Sequence, residues 1–179
     1  MNKAIFFDRD GVLIEAVVKN KKPFSIKKIK EIKFLINDNE IFLKLKNLGY
    51  KLIIVTNQPD VARNEISEKF VDDVNSAIKK KYFIDYAYTC LHDDISNCSC
   101  RKPKNGLLIE AQKDFNLNIK KCFLIGDRWK DISAAESSGC KSIFIDYNYD
   151  EKKPEKYTFR VNSILEAINI ILKYDEQKN

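Results

Sequence analysis

Five short apolar runs, each breaking off at polar residues, constrain this chain more than any other feature. They are residues 3–7 (KAIFF), 51–55 (KLIIV), 86–89 (YAYT), 122–125 (CFLI) and 142–145 (SIFI). Runs of this length, flanked by turn residues, predict buried strands. Between them, apolar residues recur at helical spacing. Residues 38–48 carry Ile41, Leu45 and Leu48, with Asp38 as opening cap and Gly49 as stop. Residues 68–80 follow Ser67 and present Phe70, Val71, Val74 and Ile78. Helices are also predicted over 107–115, over 131–138 ahead of Gly139, and over 163–173 with Ile164, Ala167, Ile168, Ile171 and Leu172 inward. Strands alternating with helices predict an α/β fold, a parallel sheet covered on both faces. Residues 16–36 read as a lysine-rich connection and 146–160 as a polar loop. At 179 residues the chain suits one domain, 1–179.

In an open α/β sheet, ligands bind beyond the carboxyl ends of the strands. Three predicted strands end in Asp8-Arg9-Asp10, Thr56-Asn57 and Gly126-Asp127, so a parallel sheet brings them to one edge. Asp8 and Asp10 stand two apart, which on extended backbone points both to one side. Carboxylates so close need a cation or a shifted pKa. The alternative is a strand-end turn with solvated aspartates. Arg101-Lys102 precedes the helix that leads into the fourth strand. The carboxylates suit Mg2+, and the hydroxyl, Lys and Arg suit phosphate oxygens. A site with both is equipped for phosphoryl transfer, which depends on positioning and charge neutralisation.

The single histidine lies in Cys90-Leu91-His92, and Cys98-Ser99-Cys100 follows five residues later. Three thiolates and an imidazole form a closed tetrahedral set for Zn2+, which makes that metal structural. The alternative is a chance cluster of reduced cysteines. The loop 90–105 is too polar to fix its own conformation, and zinc can contribute roughly 10 kcal/mol or more to folding a small motif. With His92 a ligand, no imidazole remains for a Ser-His or Cys-His nucleophile system. A carboxylate, Asp8, becomes the expected nucleophile. Cys122 and Cys140 read as small buried apolar residues.

The net charge of +6 is modest, and the lysine clusters read as solvated faces without interleaved aromatics. No apolar run reaches membrane-spanning length, and the first residues show no secretory signal, so a cytoplasmic protein is expected.

Taken together, these residues resemble the haloacid dehalogenase (HAD) superfamily of phosphatases. Asp8-Arg9-Asp10-Gly11 is similar to its first motif and Thr56-Asn57 to its second. Lys102 is similar to the third, and Gly126-Asp127 with Asp131 to the fourth. Thr-Asn-Gln at 56–58, the Cys-x-His and Cys-x-Cys pairs, and Cys100-Arg101-Lys102-Pro103 narrow the resemblance to the branch of heptose-bisphosphate and histidinol-phosphate phosphatases.

The resemblance implies a three-layer Rossmann-like fold with a mostly parallel sheet and a zinc-binding loop. It implies that Asp8 attacks phosphorus and that Asp10 protonates the leaving alcohol. Mg2+ would be held by Asp8, Asp127 and the backbone carbonyl of Asp10, and Zn2+ by Cys90, His92, Cys98 and Cys100. Thr56, Asn57, Gln58 and Lys102 would hold phosphate, with Arg101 and Arg128 as substrate contacts. Asp131 would support the metal or Lys102, or serve only as a first-turn carboxylate favoured by the helix dipole. The segment after Asp10 is too short for the cap domain common in the family. Pro59-Asp60 departs from the Ser-Gly usual in the heptose enzymes, removing an N–H and adding a negative charge.

The expected protein is thus a monomeric, magnesium-dependent phosphomonoesterase with structural zinc. Its expected substrate is a sugar bisphosphate, with histidinol phosphate as alternative, and neither nucleic acid nor membrane is an expected partner. An end-processing nucleic-acid phosphatase and a non-catalytic binding module are the other classes considered. The first needs a stacking groove, and the second fits poorly with both Asp8 and Asp10 present.

Overall fold

The computed structural model describes residues 1–177. Six parallel strands form one sheet: β1 (Lys3–Phe7), β4 (Tyr50–Asn57), β5 (Tyr86–Cys90), β6 (Phe123–Gly126), β7 (Lys141–Ile145) and β8 (Phe159–Val161). Their order is β5-β4-β1-β6-β7-β8. A separate antiparallel hairpin, β2 (Val17–Lys19) and β3 (Lys22–Phe24), follows the first strand. The helices are α1 (Glu40–Asn47), α2 (Glu68–Tyr82), α3 (Gly106–Asp114), α4 (Trp129–Ser138) and α5 (Ile164–Glu176).

The period-two alternation of the strands divides the core. Ile5, Phe7, Leu52, Ile54, Phe123 and Ile125 face one side, where they meet Phe42 and Leu45 of α1, Val74 and Ile78 of α2, and Ile168 and Ile171 of α5. Ala4, Phe6, Ile53, Val55 and Leu124 face the other, against Leu107, Leu108 and Ala111 of α3 and Ala134 and Ala135 of α4. This is the predicted three-layer arrangement. All five predicted strands and all five predicted helices are present, with ends displaced by a few residues.

Three regions differ from the sequence reading. The polar stretch 146–160 contains the start of an edge strand, β8, which pairs with β7. The lysine-rich connection 16–36 holds the β2–β3 hairpin, turned by Asn20 and Lys21 at positive φ (49° and 59°). In α1 the buried residues are Phe42 and Leu45, with Ile41 and Leu48 only partly buried. Phe42 turns inward because it stacks on Tyr82 at 4.3 Å between ring centroids.

Register brings the functional strand ends to one level. Phe7 pairs with Ile54 on one side and Ile125 on the other. Asp8, Thr56-Asn57 and Gly126-Asp127 therefore emerge together at the carboxyl edge, on the strands flanking and including the central one.

Candidate active site

The floor of the site is a knot of buried charge. Asp8, Asp127 and Asp131 each offer a carboxylate oxygen within 4.8 Å of the others. The Lys102 ammonium reaches in from the far side of the sheet edge. It donates to Asp8 Oδ1 (2.8 Å) and to the Val55 carbonyl (2.7 Å), and pairs with Asp131 Oδ1 at 2.5 Å. Asn57 fixes the Lys102 backbone from both sides. Its Nδ2 donates to the Lys102 carbonyl (3.0 Å), and its Oδ1 accepts from the Lys102 N–H (3.1 Å).

Two glycines make the close approach possible. Gly11 has φ +89°, and a Cβ there would lie 1.9 Å from Asp127 Oδ2. A Cβ on Gly126 would lie 2.2 Å from the Asp131 Cβ. Any side chain at either position would push a carboxylate out of the floor.

Three buried carboxylates against one ammonium leave an excess of negative charge. Burial raises the Asp8 carboxyl to about 6 despite the opposing pull of Lys102, with Asp131 adding to the rise. Burial raises Asp127 well above its ordinary value, reinforced by Asp8 and Asp131. Burial works to lower Lys102, but Asp131 and Asp8 outweigh it and hold the ammonium charged. The two carboxylates beside Asp8 differ in their commitments. Asp131 Oδ1 is paired with Lys102, and Oδ2 accepts from the Arg128 N–H (3.1 Å). Both oxygens of Asp127 are buried and lack a partner of hydrogen-bonding geometry among the described residues, although the Tyr149 phenol faces that carboxylate loosely. An orphaned buried carboxylate beside Asp8 fits a hard divalent cation such as Mg2+. Asp131 fits the role of a strut that holds Lys102.

Asp10 is held apart from this group. Its Oδ2 accepts from Arg9 Nε (2.9 Å), Gln58 Nε2 (3.0 Å) and Ser25 Oγ (3.1 Å). Arg9 is fully buried and donates to Gln58 Oε1 (2.7 Å). Gln58 Nε2 also donates to Thr56 Oγ1 (2.9 Å). Gln58 does not line the cleft but is buried behind Asp10, where it links that carboxylate to Thr56 and Arg9. Arg9 and Ser25 were not singled out from the sequence. Ser25 meets Asp10 across fifteen positions, and Arg9 meets Gln58 across forty-nine.

Above the floor opens a cleft of about 290 Å³. Asp8, Asp10, Thr56, Asn57, Lys102, Arg101 and Arg128 all line it, and Asp127 does not. Lys22, Arg63 and Lys130 join Arg101 and Arg128, so five cations ring the mouth against three carboxylates, Asp60, Asp94 and Glu151. Arg128 makes a two-pronged pair with Glu151, through Nε to Oε1 (3.0 Å) and Nη2 to Oε2 (2.6 Å). Asp60 accepts from Arg63 at 3.3 Å, so its charge faces a rim arginine.

The cysteine loop supports Lys102 and the neighbouring Arg101. Sulfur–sulfur distances among Cys90, Cys98 and Cys100 are 3.2–3.6 Å, and His92 Nδ1 lies 3.4 Å from Cys100 and 3.7 Å from Cys90. A tetrahedral zinc with Zn–S of about 2.3 Å spaces its ligands by roughly 3.5–3.8 Å, so the set, some of whose contacts are a few tenths of an ångström shorter, would hold that ion after a small expansion. The loop has another fastener, Lys104, whose ammonium donates to the carbonyls of Asn97 (2.9 Å) and Cys98 (2.8 Å).

Comparison with known proteins bears on the same residues. A family model described as HAD-hydrolase-like matches residues 99–169. The chain is 33% identical over 156 residues to the D-glycero-beta-D-manno-heptose-1,7-bisphosphate 7-phosphatase of Pasteurella multocida, covering 81% of this chain and 82% of that one. The chain belongs to the HAD superfamily of phosphatases. The Helicobacter pylori protein of the same name is 29% identical over 178 residues, covering 95% of this chain and 98% of its own. The bifunctional histidine-biosynthesis protein HisB of Campylobacter jejuni is 34% identical over 151 residues, 79% of this chain but only 41% of the longer protein. Among solved structures, D,D-heptose 1,7-bisphosphate phosphatase from B. bronchiseptica, complexed with magnesium and phosphate, superposes with TM-score 0.79. It covers 97% of this chain and 99% of its own at 19% identity, a likeness of fold. Within this HAD phosphatase, no helix among the described residues is long and apolar enough to cross a membrane.

Proposed function

We propose that this phosphatase is a single-domain, magnesium-dependent enzyme that removes the 7-phosphate from a heptose 1,7-bisphosphate through an aspartyl-phosphate. The observation that carries the substrate class is the cleft mouth, where five cations face three carboxylates. A surplus of positive charge favours a substrate whose far end is anionic, such as a second phosphate. Histidinol phosphate carries an amine at its far end, which the same rim repels. The heptose-bisphosphatase names of the relatives agree with this charge argument.

The roles follow from the geometry. Lys102 occupies Asp8 Oδ1, which leaves Oδ2 to attack phosphorus in line with the leaving alcohol. As the P–O bond to the alcohol breaks, Asp10 gives its proton to the leaving oxygen. Water then attacks phosphorus, Asp10 takes a proton from it, and the bond to Asp8 breaks to release phosphate and free carboxylate. Arg9, Gln58 and Ser25 keep Asp10 oriented for both transfers. Lys102 and the Thr56 hydroxyl offset the charge on the transferred group. Asp8, Asp127 and the Asp10 carbonyl would hold Mg2+, which would supply positive charge against the carboxylates and the bound phosphate. Zinc on Cys90, His92, Cys98 and Cys100 would hold the loop that delivers Arg101 and Lys102.

The test is phosphate release from heptose 1,7-bisphosphate and from histidinol phosphate with Mg2+, with zinc content measured on the same sample. Faster turnover of the bisphosphate is expected. Equal, poor rates on both would reject the assignment.

A further inference from the structure

One exposed carboxylate on the zinc loop answers three of the rim cations. Asp94 stands two residues after His92, and its side chain is 65% exposed. Its oxygens accept from Arg101 Nε (2.9 Å) and Arg101 Nη2 (3.3 Å). Lys130 Nζ lies 3.7 Å from it and Arg63 Nη2 3.9 Å. These cations come from three separate elements: the segment after β4, the zinc loop, and the first turn of α4. All of them line the same cleft as Asp8. Convergent cations repel one another unless an anion sits between them, and Asp94 supplies that anion.

We propose that Asp94 is a built-in stand-in for the far anion of the substrate, and that the need to displace it makes the enzyme select a dianionic far end over a monoanionic or neutral one. The proposal rests on reading the cleft as a phosphatase site. Asp94 is itself 65% exposed although Arg101 is only 11% exposed, so the carboxylate regains water when it swings away and it is Arg101 that then needs a replacement anion. A carboxylate from a ligand would replace it like for like and gain almost nothing. A phosphate dianion offers the same two-pronged geometry to Arg101 and a second charge for Lys130 and Arg63, which Asp94 holds only at long range. Specificity here is a difference between two occupants of one place, and the protein carries the weaker occupant itself.

The experiment uses the zinc-loaded enzyme with Mg2+ and three substrates alike at the scissile end: glucose 1,6-bisphosphate, 6-phosphogluconate and glucose 6-phosphate. Asp94→Asn is expected to raise kcat/KM for 6-phosphogluconate relative to glucose 6-phosphate by roughly fivefold, the scale of one exposed ion pair. It should also narrow the preference for the bisphosphate over the carboxylate. Asp94→Glu, which restores the charge, should return both ratios toward wild type. Unchanged ratios in Asp94→Asn, or equal shifts in Asn and Glu variants, overturn the proposal. If Asp94→Asn loses zinc, Lys130→Met decides, because it lies on α4 outside the loop. A falling preference for bisphosphate over carboxylate supports the proposal and an unmoved one overturns it. Absence of phosphate release by the wild-type enzyme from heptose 1,7-bisphosphate as well as from these three would instead reject the phosphatase reading beneath it.

Discussion

The buried floor predicts an unusual dependence of stability on pH in the magnesium-free protein. Asp8 titrates at about 6 in the folded chain against an ordinary value of 3.8. Its folded form holds the proton more tightly than the unfolded form, so unfolding releases it. Stability from this group therefore falls as pH rises from about 4 through about 6. The full shift corresponds to about 3 kcal/mol, of which roughly half is lost between pH 5 and pH 7.5. Asp127, also raised, acts in the same direction. Carboxylates held low by cations, such as Asp94 and Asp146, are already ionised in both states across that window and contribute nothing to the slope. The assay is urea unfolding at pH 5 and pH 7.5 in magnesium-free buffer, without chelators that would strip zinc. Asp8→Asn serves as the control that removes the titration. Wild type should lose at least 1 kcal/mol more than the variant between the two pH values. Saturating Mg2+ should restore more stability at pH 7.5 than at pH 5, because binding to the folded state alone stabilises it and protons compete for the same oxygens. A wild-type profile parallel to that of Asp8→Asn, or equal Mg2+ effects at both pH values, would refute the argument.

The remaining expectations concern single side chains. Asp8→Asn should abolish turnover while the melting temperature stays near or above that of wild type, and substantial residual activity would reject the covalent route. Gly11→Ala should displace Asp127, since its Cβ would stand 1.9 Å from Oδ2 at φ +89°. A rise in the Mg2+ concentration needed for half-maximal activity and a cost of about 1–3 kcal/mol in urea unfolding are expected. Gln58→Ala should lower kcat about tenfold or more with little change in KM, because it removes one of Asp10's donors and leaves the buried Arg9 Nη2 without its acceptor. A rise in KM alone would return Gln58 to the substrate contacts. Cys98→Ser should reduce bound zinc and melting temperature together, and unchanged values of both would remove the structural-zinc reading.

The sheet and the reactive edge were legible because both follow from local rules. Apolar runs of four or five residues mark the central strands, and parallel connections force their ends to one side. Asp8, Thr56, Asn57 and Asp127 could thus be placed together without coordinates, whereas Lys102, in the loop after β5, joins them only through the family resemblance. β8 escaped because Phe159–Val161 is a short edge strand in a polar stretch, with Arg160 exposed at its centre. The β2–β3 hairpin escaped for a related reason. Its turn uses Asn20 and Lys21 at positive φ where glycine would have announced it.

What the sequence hid is the set of side chains that hold other side chains. Arg9 looks like one more charge in an acidic motif, yet it is fully buried, and Gln58 looks like an extension of a phosphate-binding tripeptide. Their pairing spans forty-nine positions, and Gln58 reaches Asp10 across forty-eight. Groups that meet a ligand sit at strand ends, where topology alone places them. Groups that orient them are chosen by the need to satisfy buried donors and acceptors, and that need exists only once the chain is folded. The distinction narrows at the rim. Asp60 seemed a charge placed against phosphate, but its carboxylate faces Arg63. That arginine stands three positions on, so the linear order offers the pair and leaves open only that both side chains turn into the same cleft.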